Sequence, residues 1–85
     1  MAIETNGAEK QFIRTELLAG LTFSKLALEA KYVDKSDRNR VNARKAYDAL
    51  VRFIPKCLLS AEETKDVESK MAQLKSELQQ LGEEV

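Results

Sequence analysis

The chain has 85 residues, and 14 basic side chains balance 14 acidic ones, so its formal net charge is zero. This length suits one small domain spanning residues 1–85, and the balanced charge provides no overall attraction to nucleic acid or to membranes. No apolar run approaches the ~20 residues that a membrane span needs. With only three glycines and one proline, the composition favours helix almost throughout and predicts an all-α fold.

The first predicted helix covers residues 7–33. Asn6 is a suitable N-cap, and Glu9 follows three residues later as in a capping box. We therefore expect residues 1–6 to form a frayed arm. Apolar side chains occupy more than half of the helix circumference, at Phe12, Ile13, Leu17, Leu21, Phe23, Leu26, Leu28 and Val33. Such a helix must be covered on more than one side, so it is either central to a bundle or also part of a dimer interface.

The second predicted helix covers residues 36–54 and follows a polar turn at residues 34–37. Its core face recurs at steps of three and four residues, at Ala43, Ala46, Tyr47, Leu50 and Ile54. By the same periodicity, Phe53 is expected to look inward. Pro55 disfavours helical geometry at the preceding residue and should end the helix. We then expect the side chain of Leu58 or Leu59 to pack over the end of the bundle core.

The third predicted helix covers residues 61–81. Ser60 and Glu63 form a capping box at its start, and Gly82 stops it. Its apolar residues make one narrow seam, Val67, Met71, Leu74, Leu78 and Leu81. Residues 83–85 are expected to fray. Because short connections join long helices as antiparallel neighbours, the predicted architecture is an up-down-up three-helix bundle.

The usual catalytic groups are missing from the sequence. There is no histidine, only one cysteine, and no glycine-rich phosphate loop. We therefore predict that the protein is not an enzyme and uses no metal or cofactor. The single Cys57 fits a reducing compartment and hence a cytoplasmic location. Two roles for Cys57 stay open: a small buried apolar residue, which is the commoner case, or a thiol redox switch helped by Lys56.

Arg38, Lys45 and Arg52 are spaced seven residues apart along the second helix, and they are the candidate interaction residues. Residues 34–56 carry seven basic and three acidic groups, whereas residues 57–85 carry three basic and seven acidic groups. One interpretation is a strip that binds an anion, either nucleic acid or an acidic protein. The other is a solvated face compensated by the acidic third helix. The zero net charge favours the second interpretation and argues against nucleic acid.

Part of the second helix resembles a tetratricopeptide repeat, because Ala43, Tyr47, Leu50 and Pro55 have the spacing of that repeat's second helix. The stretch Ala19-Gly20-Leu21-Thr22-Phe23 is similar to the core of its first helix, although Glu16 stands where the repeat has Trp. The three-helix layout also resembles microtubule-interacting and trafficking domains. Both resemblances imply a helical protein-binding module and assign no ligand-binding residue.

These observations together predict a non-catalytic helical module that binds another protein of unknown identity, and homodimerisation through the apolar surface of the first helix is one form that this binding could take. The first alternative is a nucleic-acid accessory domain that uses Arg38, Lys45 and Arg52. The second alternative is a redox switch at Cys57.

Overall fold

Three α-helices and one short 3-10 turn make up the fold. The computed structural model describes the backbone of residues 2–85 and the side chains of residues 7–85. The elements are α1 (Ala2–Glu29), α2 (Val33–Phe53), a 3-10 turn (Ile54–Lys56) and α3 (Ala61–Gln80), and the described part of the chain contains no strand. The predicted all-α three-helix bundle is therefore confirmed. None of these helices is both long and apolar enough to cross a membrane.

Contacts at the helix ends establish the up-down-up order. Phe12 near the start of α1 contacts Phe53 at the end of α2, which makes these two helices an antiparallel hairpin. Lys10 pairs with Glu63 at the start of α3, and Ser24 donates a hydrogen bond to Glu77 near the end of α3. The third helix therefore runs parallel to the first.

The boundaries of α1 differ from the predicted residues 7–33. The helix begins at Ala2, so Asn6 lies within it and is not its N-cap. No glycine or proline occurs in residues 2–5 to oppose extension, and each added helical residue gains a backbone hydrogen bond. The side chains of the predicted arm, residues 1–6, lie outside the described residues. The helix ends at Glu29, four residues before the expected end.

The turn expected at residues 34–37 is instead the first turn of α2, which begins at Val33. The hydroxyl of Ser36 donates a hydrogen bond to the Ala27 carbonyl at the end of α1, with a separation of 2.9 Å. The Ala30 amide also donates to this carbonyl, at 3.4 Å, so Ser36 adds a second and shorter hydrogen bond at the end of α1. Asp34 lies in the first turn of α2, where the helix dipole favours a negative charge. The polar residues thus start a helix rather than interrupt one.

Both ends of α3 match the sequence prediction. The Glu63 amide donates to the Ser60 hydroxyl at 3.1 Å, and the Ser60 amide donates to the Glu63 carboxylate at 2.9 Å, completing the capping box. At the other end Gly82 has a φ of +91°, and the Glu83 amide donates to the Leu78 carbonyl. This is a Schellman stop, in which glycine adopts the left-handed conformation without strain.

The core lies where the three helices meet. Its buried residues are Ile13 and Leu17 from α1, Ala43 and Leu50 from α2, and Val67, Leu74 and Leu78 from α3. Gly20 lets α3 approach α1 closely, because a Cβ added there would lie 2.8 Å from Leu74 Cδ2. Leu59 packs against this cluster, whereas Leu58 is 82% exposed, so of the two leucines it is Leu59 that closes the bundle end.

The C-terminal residues are anchored, in contrast to the fraying expected for residues 83–85. The Glu83 carboxylate accepts hydrogen bonds from Arg40 and Arg44 of α2. The two guanidinium groups lower the pKa of Glu83, with the Arg40 hydrogen bond as the larger cause. The Gln79 side chain also donates to the Val85 carbonyl at 3.1 Å. The tail could not be predicted because these partners are distant in sequence.

Candidate interaction surface

The third helix covers only one side of the α1–α2 hairpin. Three side chains of α1 contact α3, namely Lys10, Arg14 and Ser24. From α2, the arginines at positions 40 and 44 pair with Glu83, which lies beyond the end of α3. The opposite side of the hairpin faces away from α3. We call this opposite side the back face and define it by Phe12, Glu16, Ala19 and Leu26 of α1 and by Asn42, Ala49 and Phe53 of α2.

Helical geometry places the α1 residues of the back face away from α3. Phe12 precedes Arg14 by two positions, and Leu26 follows Ser24 by two, so each lies about 200° around the helix from a residue that contacts α3. Phe12 is 38% exposed and Leu26 is 46% exposed, although both are large apolar side chains. Ala19 stands midway between them and is half-buried. An exposed apolar line of this kind is typical of an interaction surface.

The second helix contributes an aromatic ring to the back face. Phe53 is 44% exposed, and its ring centroid lies 4.8 Å from that of Phe12 at an interplanar angle of 59°. The Lys56 ammonium lies 5.9 Å from the Phe53 ring centroid. Ala49 is half-buried and Asn42 is exposed, so the surface between Phe53 and the middle of α2 is shallow. The two phenylalanines form a partly exposed aromatic pair at one end of the back face.

The predicted basic residues border the back face along α2. Arg38, Lys45 and Arg52 are all exposed, and within the side chains of residues 7–85 none of them forms an ion pair. We call these three residues the basic strip. The other two arginines of α2 differ from the strip, because acidic side chains at positions 37, 48 and 83 pair with them. Two aspartates of α2 itself and Glu83, beyond the end of α3, therefore compensate those neighbouring arginines and not the strip.

A second apolar surface lies between α1 and α3. It is a groove of about 300 Å³ whose floor includes Ile13, Leu17 and Val67, and Leu18 stands at its edge with 69% of its surface exposed. Lys10 and Arg14 on its rim both pair with Glu63, and Lys70 pairs with Asp66. With Glu62 the rim carries three basic and three acidic side chains, so the groove presents apolar surface without a net charge that would select a partner.

The titration behaviour of two groups has a structural cause. The hydrogen bond from the Ser60 amide and the contact with Lys10 lower the pKa of Glu63 to about 2. Burial raises the pKa of the Cys57 thiol, with the charge of Glu9 as a further cause. A raised pKa reduces the thiolate fraction at neutral pH, which does not favour a redox role for Cys57.

Among the described residues, no group of three or more Cys, Asp and Glu side chains could hold a metal ion.

No known protein family, no curated protein and no solved structure matches this chain. The resemblance to tetratricopeptide repeats and to microtubule-interacting and trafficking domains thus has no support beyond the sequence patterns.

The sequence prediction includes the basic strip but does not recognise the apolar face beside it. It places Phe12 and Leu26 in the broad apolar arc of the first helix and expects Phe53 to look inward. All three are exposed by more than a third. Whether these side chains are exposed depends on which side of the hairpin α3 covers. The sequence does not reveal that side, because α1 is apolar on both. The seven-residue spacing of Phe12, Ala19 and Leu26 was the available signal.

Proposed function

We propose that this protein is a non-catalytic helical module that binds another protein through the back face. The observation that carries the proposal is the exposed apolar line of Phe12, Leu26 and Phe53 beside a basic strip that lacks ion-pair partners among the described side chains. Protein interfaces combine an apolar, aromatic centre with a polar rim. The back face has this arrangement, with the two phenylalanines and Leu26 at its centre and the basic strip at its edge.

Self-association through the apolar surface of α1 is one form of this function. Phe12 and Leu26 lie on the back face, whereas Leu18 belongs to the groove between α1 and α3, so two different α1 surfaces are candidates. A nucleic-acid accessory role is the competing function, and the exposure of Arg38, Lys45 and Arg52 favours it. Against it, the exposed aromatic pair adjoins the strip only at its Arg52 end, and the net charge is zero.

Site-specific photo-crosslinking in the native cell tests the proposal. A photoreactive residue replaces Asn42 on the back face, and the control replaces Ala72, which is exposed on the outer side of α3. We expect protein adducts from position 42 that are lost in the Leu26→Gln variant and kept in Leu18→Gln. An adduct of twice the chain mass identifies self-association. Equal adducts from both positions, or none from position 42, would show that the back face is not a protein-binding surface.

A further inference from the structure

The back face and the basic strip share one repeat along their helices. Phe12, Ala19 and Leu26 follow one another every seven residues on α1, and Arg38, Lys45 and Arg52 do so on α2. Seven residues of α-helix rise about 10 Å. Because the two helices form an antiparallel pair, an apolar row and a basic row run side by side along the length of the hairpin.

From this match we infer that the occupant of the back face is an acidic amphipathic helix of a partner protein. The inference rests on the proposed function and specifies the class of partner. A helix laid along the face would place one apolar stripe on Phe12, Ala19 and Leu26. Its neighbouring positions, again seven residues apart, would point towards the strip. Glutamate or aspartate at those positions would meet Arg38, Lys45 and Arg52 in turn.

Charge decides between an acidic and a neutral occupant. Lys35 and Lys56 extend the basic row at its two ends, and neither forms an ion pair with a described side chain. The acidic groups close to this surface are Asp34, Asp37 and Asp48 on α2 and Glu9 and Glu16 on α1. Asp37 and Asp48 pair with Arg40 and Arg44 of α2. The five basic groups exceed the three acidic groups outside these pairs, so an acidic partner gains both attraction and orientation.

A second copy of the chain fits this surface less well. The edge of α1 that borders the back face carries three uncharged residues, Gln11, Thr15 and Thr22, and one acidic residue, Glu29, and Lys25 lies beyond it. An antiparallel copy placed face to face, with α1 on α1 and α2 on α2, would bring two basic strips together. The outer side of α3 presents polar residues such as Ser69, Ser76 and Gln80, so it has no apolar stripe to cover Phe12 and Leu26.

The experiment uses the whole chain and three designed helical peptides that share one leucine stripe. The peptides carry glutamate, glutamine or lysine at the positions beside that stripe. Affinities are measured by fluorescence anisotropy at low and high salt, and contacts are mapped by backbone NMR shifts. We expect the glutamate peptide to bind at least about tenfold more tightly than the glutamine peptide at low salt, and this preference to shrink at high salt, because three exposed charge pairs each contribute a few-fold.

Matched variants show which residues contribute to the affinity for the peptide. Replacing Arg38, Lys45 and Arg52 with glutamate reverses the charge of the strip. This variant should bind the glutamate peptide at least about tenfold more weakly, since each charge pair becomes repulsive. Reversing Lys25, Lys65 and Lys75 changes the net charge by the same amount away from the back face, and a change of less than about threefold is expected from screened, distant charges. Leu26→Gln should weaken binding more than Leu18→Gln. Circular dichroism verifies that each variant remains helical.

Several results would overturn the inference. If the three peptides bind equally, or if none binds, the partner is not an acidic helix, and the crosslinking result still decides whether the back face binds protein. NMR shifts confined to the groove between α1 and α3 would reject the placement. Tighter binding of a short DNA or RNA duplex than of the glutamate peptide would assign the strip to nucleic acid. A dimer in sedimentation equilibrium that excludes the peptide would assign the face to a second copy.

Discussion

At the scale of single residues, the absence of a side chain at Gly20 determines how closely α1 and α3 approach. An added Cβ would lie 2.8 Å from Leu74 Cδ2 and 3.3 Å from Ala46 Cβ, so it would meet both neighbouring helices. Leu74 is fully buried and surrounded by core residues, which limits how far its methyl groups can move. Glycine at this position therefore contributes packing that outweighs its low helix propensity.

We predict that Gly20→Ala destabilises the protein by about 1 kcal/mol. The substitution gains about 1 kcal/mol of helix propensity but incurs about 1–3 kcal/mol of overpacking. Urea unfolding measures the difference. The matched control is Gly7→Ala, because none of the described side chains beyond its chain neighbours lies within 4 Å of the added Cβ there, and only the propensity gain applies. A Gly20→Ala protein more stable than the parent would mean that Leu74 can repack at no cost.

At the scale of secondary-structure elements, α3 is joined to the hairpin by a narrow apolar seam and by polar contacts near both ends. Glu63 at its start both caps the helix and pairs with Lys10 at 3.0 Å. Beyond its end, Glu83 accepts hydrogen bonds from two arginines of α2. Between them the buried Ser24 donates to Glu77. The carboxylates therefore act as attachment points of the helix.

We predict that the free energy of unfolding falls as the pH decreases from about 4.5 towards 2. The pKa of Glu63 is lowered from 4.5 to about 2 in the folded protein, so its stabilising contribution is complete above its unfolded pKa. Protonation at lower pH removes that contribution. Urea unfolding at a series of pH values measures this dependence, and in Glu63→Gln the free energy of unfolding should change less steeply with pH. Glu62→Gln removes a charge from the same helical turn without breaking the cap, and a slope reduced as strongly in that control would contradict the assignment.

At the scale of the whole molecule, one side of the hairpin is covered by α3 and the other is open. The fully buried side chains Ile13, Leu50, Leu74 and Leu78 come from all three helices and lie on the covered side. The back face carries exposed rings and borders the basic strip. Stability and proposed binding are thereby separated on the two sides of the hairpin, and substitutions on each side should affect different measurements.

We predict that Leu50→Ala lowers the free energy of unfolding by about 2–5 kcal/mol, because it leaves a cavity where the three helices meet. For a domain of this size each kcal/mol lowers Tm by about 4–8 °C, so thermal unfolding is a sensitive measurement. Leu58→Ala is the control, since an exposed side chain should change stability by less than about 0.5 kcal/mol. Equal effects of the two substitutions would show that the core is not centred on Leu50.

The sequence by itself determined the helices and most of the core. Periodicity placed Ala43 and Leu50 inside, local capping chemistry fixed both ends of α3, and Pro55 fixed the end of α2. These signals are local, because each depends on residues within a few positions of one another. The junction of α1 and α2 was predicted wrongly, since polar residues such as Asp34 and Ser36 serve equally in a turn and in the first turn of a helix.

Only the tertiary structure decided which half of the apolar circumference of α1 is covered. That choice depends on contacts between distant residues, such as Gly20 with Leu74 and Ser24 with Glu77, which no local pattern contains. The same choice anchors Glu83 on two arginines and leaves Phe12 and Leu26 exposed. The basic strip could be recognised from its spacing, but the apolar row beside it became visible once the position of α3 was known.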